Sequence, residues 1–289
     1  MIAATIHIEA FSTILKITET TDRSEKILQF RKEIVRIAAA EFSSRDEQSE
    51  IQDRAESVLD DFIKQTKIYR PDSITVTAAE CLAESQTLRN LRLFLKDRGF
   101  PSPQMLTPEM ESRMFLPAGC LTNEEDFCVI RLGEGDFHID AGTRRSVQMI
   151  LTLRLGLCRL SDQFLGNSPP APEDLIGLRQ HISDELERFR WISRPGKCLC
   201  VSDAAVALWK FACPEAEKST VRNIILTHAD VQKIIKDIWT ITPTELRRRG
   251  SDPNYQSLFL PTAILIEHLF RHFDLERIQI LPLSVYSVS

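Results

Sequence analysis

Two glycines two positions apart, Gly133 and Gly135, sit inside Val129-Ile-Arg-Leu-Gly-Glu-Gly-Asp-Phe-His-Ile-Asp-Ala-Gly142. The stretch reads as a strand, a tight turn and a second strand. Glycine in such a turn can take positive φ and lets another group approach the backbone closely. One chemistry open to it is the cradling of phosphate oxygens by backbone N–H groups, which calls for small hydroxyls and carboxylates alongside. Arg131, Glu134, Phe137 and His138 stand there instead. The scaffold and the side chains point to different chemistries.

The elements that must hold this turn can be read from periodicity. Ile2 to Ile8 and Thr13 to Thr18 read as strands joined around Glu9-Ala-Phe-Ser12, while Lys26 to Ala38 fits either a loose helical face or a β-branched strand. Ser44-x-x-Glu47 is a capping box, followed by Ile51, Ala55, Val58, Leu59, Phe62 and Ile63 at helical spacing. A strand over Ser73 to Ala78, a helix through Leu88, Leu91, Phe94 and Leu95 stopped by Gly99, and a brief strand at Gln104 to Leu106 follow. Thr107 can cap a helix with Pro108 at its first position. The second half opens again on strands, Phe127 to Leu132, Asp136 to Ala141 and Ser146 to Arg154. Helices then predominate: Pro172 to Phe189, Asp203 to Phe211, the face Val231, Ile234, Ile235, Ile238 and Trp239 capped by Thr227 or Asp230, a short helix from Pro243, and Ser257 to Phe273. Short strands are expected at Lys197 to Val201 and Arg277 to Leu281. Alternating strands and helices argue for α/β layers with mixed sheets, and the repeated opening argues for a duplicated architecture.

Composition narrows the classes. The 289 residues suit two ordinary domains, and 43% hydrophobic with 27% charged residues is usual for a soluble chain. A net charge of −5 gives no reason to expect nucleic-acid binding. No signal pattern is visible at Met1 to Ile8, and the apolar run Leu258 to Phe270 is broken by Pro261, Glu267 and His268, so no membrane span is expected. Seven scattered cysteines suit reduced thiols in a cytoplasm, with Cys198 and Cys200 read as buried small hydrophobes.

Several segments occur in a telling order: Ser73 to Ser85, Leu106-Thr-Pro-Glu-Met-Glu-Ser-Arg113, Leu153-Arg-Leu-Gly-Leu-Cys-Arg-Leu160, Ile241-Thr-Pro-Thr-Glu-Leu-Arg247 and Leu260-Pro-Thr-Ala-Ile-Leu265. In that order they resemble the exopolyphosphatase/guanosine pentaphosphate phosphohydrolase (Ppx/GppA) family. The resemblance implies α/β architecture with two actin-like (ribonuclease H-like) domains and a cleft between them, at residues 1–120 and 121–289. It favours strand over helix for Lys26 to Ala38. A homodimer and a polyphosphate or guanosine polyphosphate ligand are further implications, as is Mg²⁺ if the chain is an enzyme.

The site motifs of that family are altered. Its first phosphate loop, Asp-x-Gly-Ser-Asn-Ser, corresponds to His7-Ile-Glu-Ala-Phe-Ser12, where His7 replaces Asp, Glu9 replaces Gly and Ser12 remains. The second, Asp-x-Gly-Gly-Gly-Ser-Thr-Glu, corresponds to Arg131-Leu-Gly-Glu-Gly-Asp-Phe-His138: Gly133 and Gly135 stay, and both acids become basic. The phosphate-binding Arg corresponds to Cys81, and Gly-Gly-Thr to Ser202-Asp203-Ala204. In Glu-Glu-Ala-Arg the first Glu is Met110, while the second, the family's general base, is retained as Glu111 beside Arg113. The family's closing Ser-Asp-x-x-x-Arg-Glu-Gly has no counterpart in Leu281 to Ser289.

Phosphoryl hydrolysis needs oxygen ligands for a hard cation, backbone N–H groups on the phosphates and an oriented water. Imidazole and guanidinium at positions 7 and 131 cannot replace the oxygen ligands. A carboxylate such as Glu9 or Glu134 about 4 Å from a phosphate charge costs roughly 4 kcal/mol at an effective dielectric near 20, around a thousandfold in affinity. The expectation is a non-catalytic binding or regulatory protein with no metal and no cofactor. The alternatives are an active phosphoanhydride hydrolase with Glu111 as base, and a metal-independent polyanion binder using His7, Arg131 and His138, with Ser12, Gly133, Gly135 and Arg113 as further phosphate contacts. Plainer readings stand beside these. Glu111 can be a surface helix carboxylate, the two glycines an ordinary hairpin turn, and His7, Arg131 and His138 ordinary paired or solvated side chains. Arg247 to Arg249 and Thr143 to Arg145 read as solvent-facing, and Ile234, Ile238 and Trp239 as core.

Overall fold

The computed structural model describes residues 1–21, 24–115, 126–143, 146–166, 169–189, 197–214 and 224–282. Thr143 to Arg145 and the chain end beyond 282 therefore lie wholly or partly outside the described residues. The chain divides into two compact units, Met1–Thr107 and Pro108–Ser289.

In the first unit β1 (Ile2–Ile8), β2 (Ser12–Thr21) and β3 (Ser24–Ile34) form an antiparallel meander. The ambiguous stretch from Lys26 is thus strand as far as Ile34, and a 3₁₀ helix begins at Ile37. Pairing with β2 decides it, because β3 needs a partner more than its residues need a helical face. The parallel strands β4 (Ser73–Ala79) and β5 (Gln104–Leu106) extend the sheet in the order β3-β2-β1-β4-β5. Helix α1 (Arg45–Tyr69) starts at the expected capping box, with Ser44 and Glu47 satisfying each other's backbone N–H. Its Ala55, Leu59, Phe62 and Ile63 and the Leu88, Leu91 and Leu95 of α2 (Gln86–Asp97) bury against Ile6, Ile8, Leu15 and Ile17.

The second unit begins with α3 (Pro108–Phe115) and repeats the topology. Strands β6 (Asp126–Leu132), β7 (Phe137–Thr143) and β8 (Ser146–Leu153) are the antiparallel meander. Strands β9 (Lys197–Val201) and β11 (Arg277–Leu281) continue it in parallel, and β10 (Ile224–Thr227) closes the edge, giving β10-β11-β9-β6-β7-β8. The two units thus share one strand order, three antiparallel strands followed by two parallel ones, which is the actin-like, ribonuclease H-like arrangement.

The helices of this unit are α4 (Leu157–Phe164), α5 (Pro172–Glu187), α6 (Asp203–Ala212), α7 (His228–Trp239), α8 (Pro243–Arg248) and α9 (Gln256–His272). Helix α9 is buried on nearly every side from Leu258 to Phe270, yet it carries Pro261 in its interior. Proline removes the N–H that would reach the Ser257 carbonyl and costs about 3 kcal/mol in an ordinary helix interior. Here Ser161 of α4 donates its hydroxyl to that carbonyl at 3.1 Å, supplying the missing donor. Trp239 does not join the core with Ile234 and Ile238: it is 36% exposed at the end of α7. No helix among the described residues is long and apolar enough to cross a membrane.

Replacing Ser161 with Ala should lower stability by about 1 kcal/mol. In a Pro261→Ala background, where the restored backbone N–H can itself donate to the Ser257 carbonyl, the same change should cost less than half as much. Denaturant melts of the four chains check this coupling.

Candidate functional site

In the second unit Glu111, Arg131 and His138 meet. Strand register sets Arg131 of β6 opposite His138 of β7, and His138 opposite Thr152 of β8. Alternation along β7 puts Asp140 on the same face as His138. Over this face lies α3, whose Glu111 and Ser112 are buried while Met110 is 36% exposed.

The Arg131 guanidinium is the hub. Its Nη1 donates to Glu111 Oε2 at 3.1 Å and its Nε to Asp140 Oδ2 at 3.0 Å. Its side chain is 6% exposed, that of Glu111 10% and that of Asp140 0%. His138 pairs through Nε2 with Asp136 Oδ1 at 2.8 Å and through Nδ1 with the Thr152 hydroxyl at 3.0 Å, and its Nε2 lies 3.6 Å from Glu111 Oε2. Burial pushes the Glu111 carboxyl up to about 7, the Asp136 charge adds to this, and His138 and Arg131 pull against it. Burial likewise raises Asp140, with Arg131 opposing.

The β6–β7 turn is held by packing as well as by its own chain. A Cβ on Gly133 would lie 2.7 Å from the Asp136 carbonyl oxygen, and one on Gly156 would lie 2.2 Å from the Gly135 carbonyl. The positive-φ glycines of the described chain are Gly99 and Gly250, so Gly133 serves close approach and not left-handed backbone. The carbonyls of Gly133 and Glu134 accept from Leu157 and Cys158 N–H at 3.1 and 2.9 Å, so two early amides of α4 are spent on the turn.

The first unit shows a second self-contained cluster. Ser12 donates to Glu9 Oε2 at 2.5 Å, His7 Nε2 lies 3.6 Å from Glu9 Oε1, and His7 Nδ1 meets the Thr77 hydroxyl at 2.9 Å. Burial lowers the His7 pKa, partly offset by Glu9. Ser202 caps α6 through Ala205 N–H, and Cys81 is half-buried.

Of the residues singled out in the sequence, Glu111, Arg131 and His138 come together, as do His7 and Ser12 within the other unit. Gly133 and Gly135 form the turn, and the Arg113 side chain lies outside the described residues. Sequence reasoning missed Asp136, Asp140 and Thr152. Asp140 could have been found from its alternation with His138; Thr152 needed the register. The plain surface reading of Glu111 does not hold, since α3 turns that face onto the sheet. The residues do not suit Mg²⁺: the cationic Arg131 guanidinium lies among the carboxylates and binds one oxygen each of Glu111 and Asp140. Among the described residues no group of three metal-ligating side chains is positioned to hold an ion.

The two units share one strand order, and the first hairpin of the second unit closes on a glycine turn. A sequence profile of the Ppx/GppA phosphatase family matches residues 16–285, and the chain belongs to that family. Solved structures agree in fold. The Aquifex aeolicus PPX-GPPA enzyme is similar at 18% identity and TM-score 0.75, covering 99% of each chain. An exopolyphosphatase from Cytophaga hutchinsonii is similar at 16% identity and TM-score 0.81, over 98% of this chain and 94% of that one. An exopolyphosphatase-like protein is similar at 15% and 0.82, over 99% and 96%. No curated protein sequence matches the chain.

Two stability measurements probe the hub. Arg131→Met leaves two buried carboxylates facing each other and should cost about 3–5 kcal/mol. Glu111 is raised from 4.5 to about 7 in the folded chain. Between those values the folded state holds a proton that the unfolded state has released, so stability falls as pH rises through this window. Glu111→Gln removes that loss. Its stability relative to the native chain should improve by about 2–3 kcal/mol between pH 5 and pH 8, as read from urea melts.

Proposed function

We propose that this Ppx/GppA-family chain is a non-catalytic binding or regulatory protein that has exchanged its phosphate and metal contacts for internal ones. The observation that supports this most is the Arg131 hub. Hydrolysis in this family needs Glu111 free to orient a water and an acid at position 131 to hold a cation, whereas Glu111 here is ion-paired to the guanidinium that replaces that acid. The hydroxyl of Ser12, the surviving group of the first loop, is likewise bonded to Glu9, the residue that replaces a glycine. Both replacements act in the same direction: groups that would face a ligand face each other.

A second reading has one observation in its favour. A buried carboxyl raised to about 7 suits a general base at neutral pH, so an active phosphoanhydride hydrolase using Glu111 is the alternative. The metal-independent polyanion reading gains less support. Arg131 serves two carboxylates, His138 serves Asp136 and Thr152, and burial disfavours a charged His7.

Phosphate release from long-chain polyphosphate and from pppGpp, with and without Mg²⁺, separates the first two readings. The native chain and Glu111→Gln should both give background rates. Turnover in the native chain that Glu111→Gln abolishes would establish the hydrolase instead.

A further inference from the structure

Helices α5 and α7 present matching faces to one another across a groove floored by α9. Pro172, Leu175, Ile176 and Arg179 of α5 recur at i, i+3, i+4 and i+7, as do Gln232, Ile235, Lys236 and Trp239 of α7. Each series is one helix face. The space between them is about 430 Å³, within the usual range for small-molecule sites, and its walls are mostly apolar. Ile176 is 68% exposed and Trp239 36%, an unusual placement for two large apolar side chains that line one concavity.

The charges at the groove are unbalanced. Glu267 is its lining carboxylate, and its side chain is only 4% exposed. It is bonded by Arg179 and, at 2.9 Å, by Arg271, so two guanidiniums serve one carboxylate. Burial alone would raise Glu267, but Arg179 and Arg271 hold it below its ordinary value, so it stays ionised. Lys236 adds a further positive charge on the rim, and no ion pair is made by it among the described residues. The chain as a whole carries −5, so this surplus is local.

We propose that the α5–α7 groove binds a small amphiphilic anion. Its apolar chain or ring lies along Leu175, Ile176, Ile235 and Trp239, and its single acidic head, carboxylate or phosphate monoester, meets Lys236 and Arg179. An apolar wall with a few convergent polar groups fixes such a ligand's orientation, and the excess positive charge selects the sign of its head. Binding in this groove is independent of whether the Arg131 cluster is catalytic.

The full chain would be titrated with decanoate, decyl phosphate and decyltrimethylammonium, each below its micellar range, by calorimetry and tryptophan fluorescence. Decanoate or decyl phosphate should bind saturably at one per chain and change the emission, and the cation should bind at least tenfold more weakly. Which anion binds tighter tells carboxylate from phosphate. Trp239→Phe should remove most of the emission change. Lys236→Glu and Ile176→Asp, both at exposed positions, should each weaken the anion at least tenfold with little change in melting temperature. If either variant melts early, the native chain's preference for anion over cation decides alone. Equal binding of anion and cation, or binding indifferent to Lys236→Glu in a normally melting variant, would mean apolar adsorption and overturn the proposal. So would the absence of saturable binding. A native dimer that Ile176→Asp dissociates, with no bound anion, would assign the face to a second copy of the chain instead.

Discussion

The guanidinium of Arg131, held between Glu111 and Asp140, is the interaction on which the second unit's site depends. Each of the three side chains is nearly excluded from water. A buried carboxylate without a partner costs several kcal/mol, so the presence of Arg131 is what allows two acids to remain there. The same group has a second effect. It is a permanent cation of fixed position, and it claims oxygens that a divalent ion would need. In the proposed reading, arginine at this position both withholds an oxygen ligand and supplies the positive charge that a divalent ion would bring. His138, cross-strand neighbour of Arg131, is tied to Asp136 and Thr152, so the basic side chains of this hairpin belong to one network.

The backbone around the network is closely packed. Gly133 and Gly156 allow the β6–β7 turn and the start of α4 to approach within distances no Cβ would permit, and α4 amides close onto the turn's carbonyls. Those glycines are needed for packing wherever the turn meets the helix. The first unit repeats the pattern with smaller parts: Glu9 takes the Ser12 hydroxyl and approaches His7. Shared strand order in the two units gives both clusters the same location, the first hairpin of each sheet.

Much of this was legible in the sequence. The capping box at Ser44, the strands around Gly133, the helix faces of α1 and α7 and the family motifs all rest on local periodicity or spacing, which short-range physics sets. Lys26 to Ile34 was ambiguous because its identity depends on β2 as a partner, a long-range matter. Arg131, His138 and Glu111 could be named from motif positions, but their mutual pairing could not, since α3 and β6 are joined only in the fold. Asp140 escaped notice because it lies outside the motif, though its alternation with His138 carried the signal. Trp239 reads as core from helical spacing, and it is left at a groove edge because α5 does not close over it.

The central claim is that Glu111 is committed to Arg131 and not available to a metal or phosphate. The most direct measurement is the titration of the Glu111 side-chain carboxyl by ¹³C NMR, assigned through Glu111→Gln, with and without Mg²⁺ and polyphosphate. The expected result is a midpoint raised to about 7 that neither addition moves. A midpoint that falls by a unit or more when Mg²⁺ and polyphosphate are added together would show the carboxylate engaging a bound cation, and would contradict the claim.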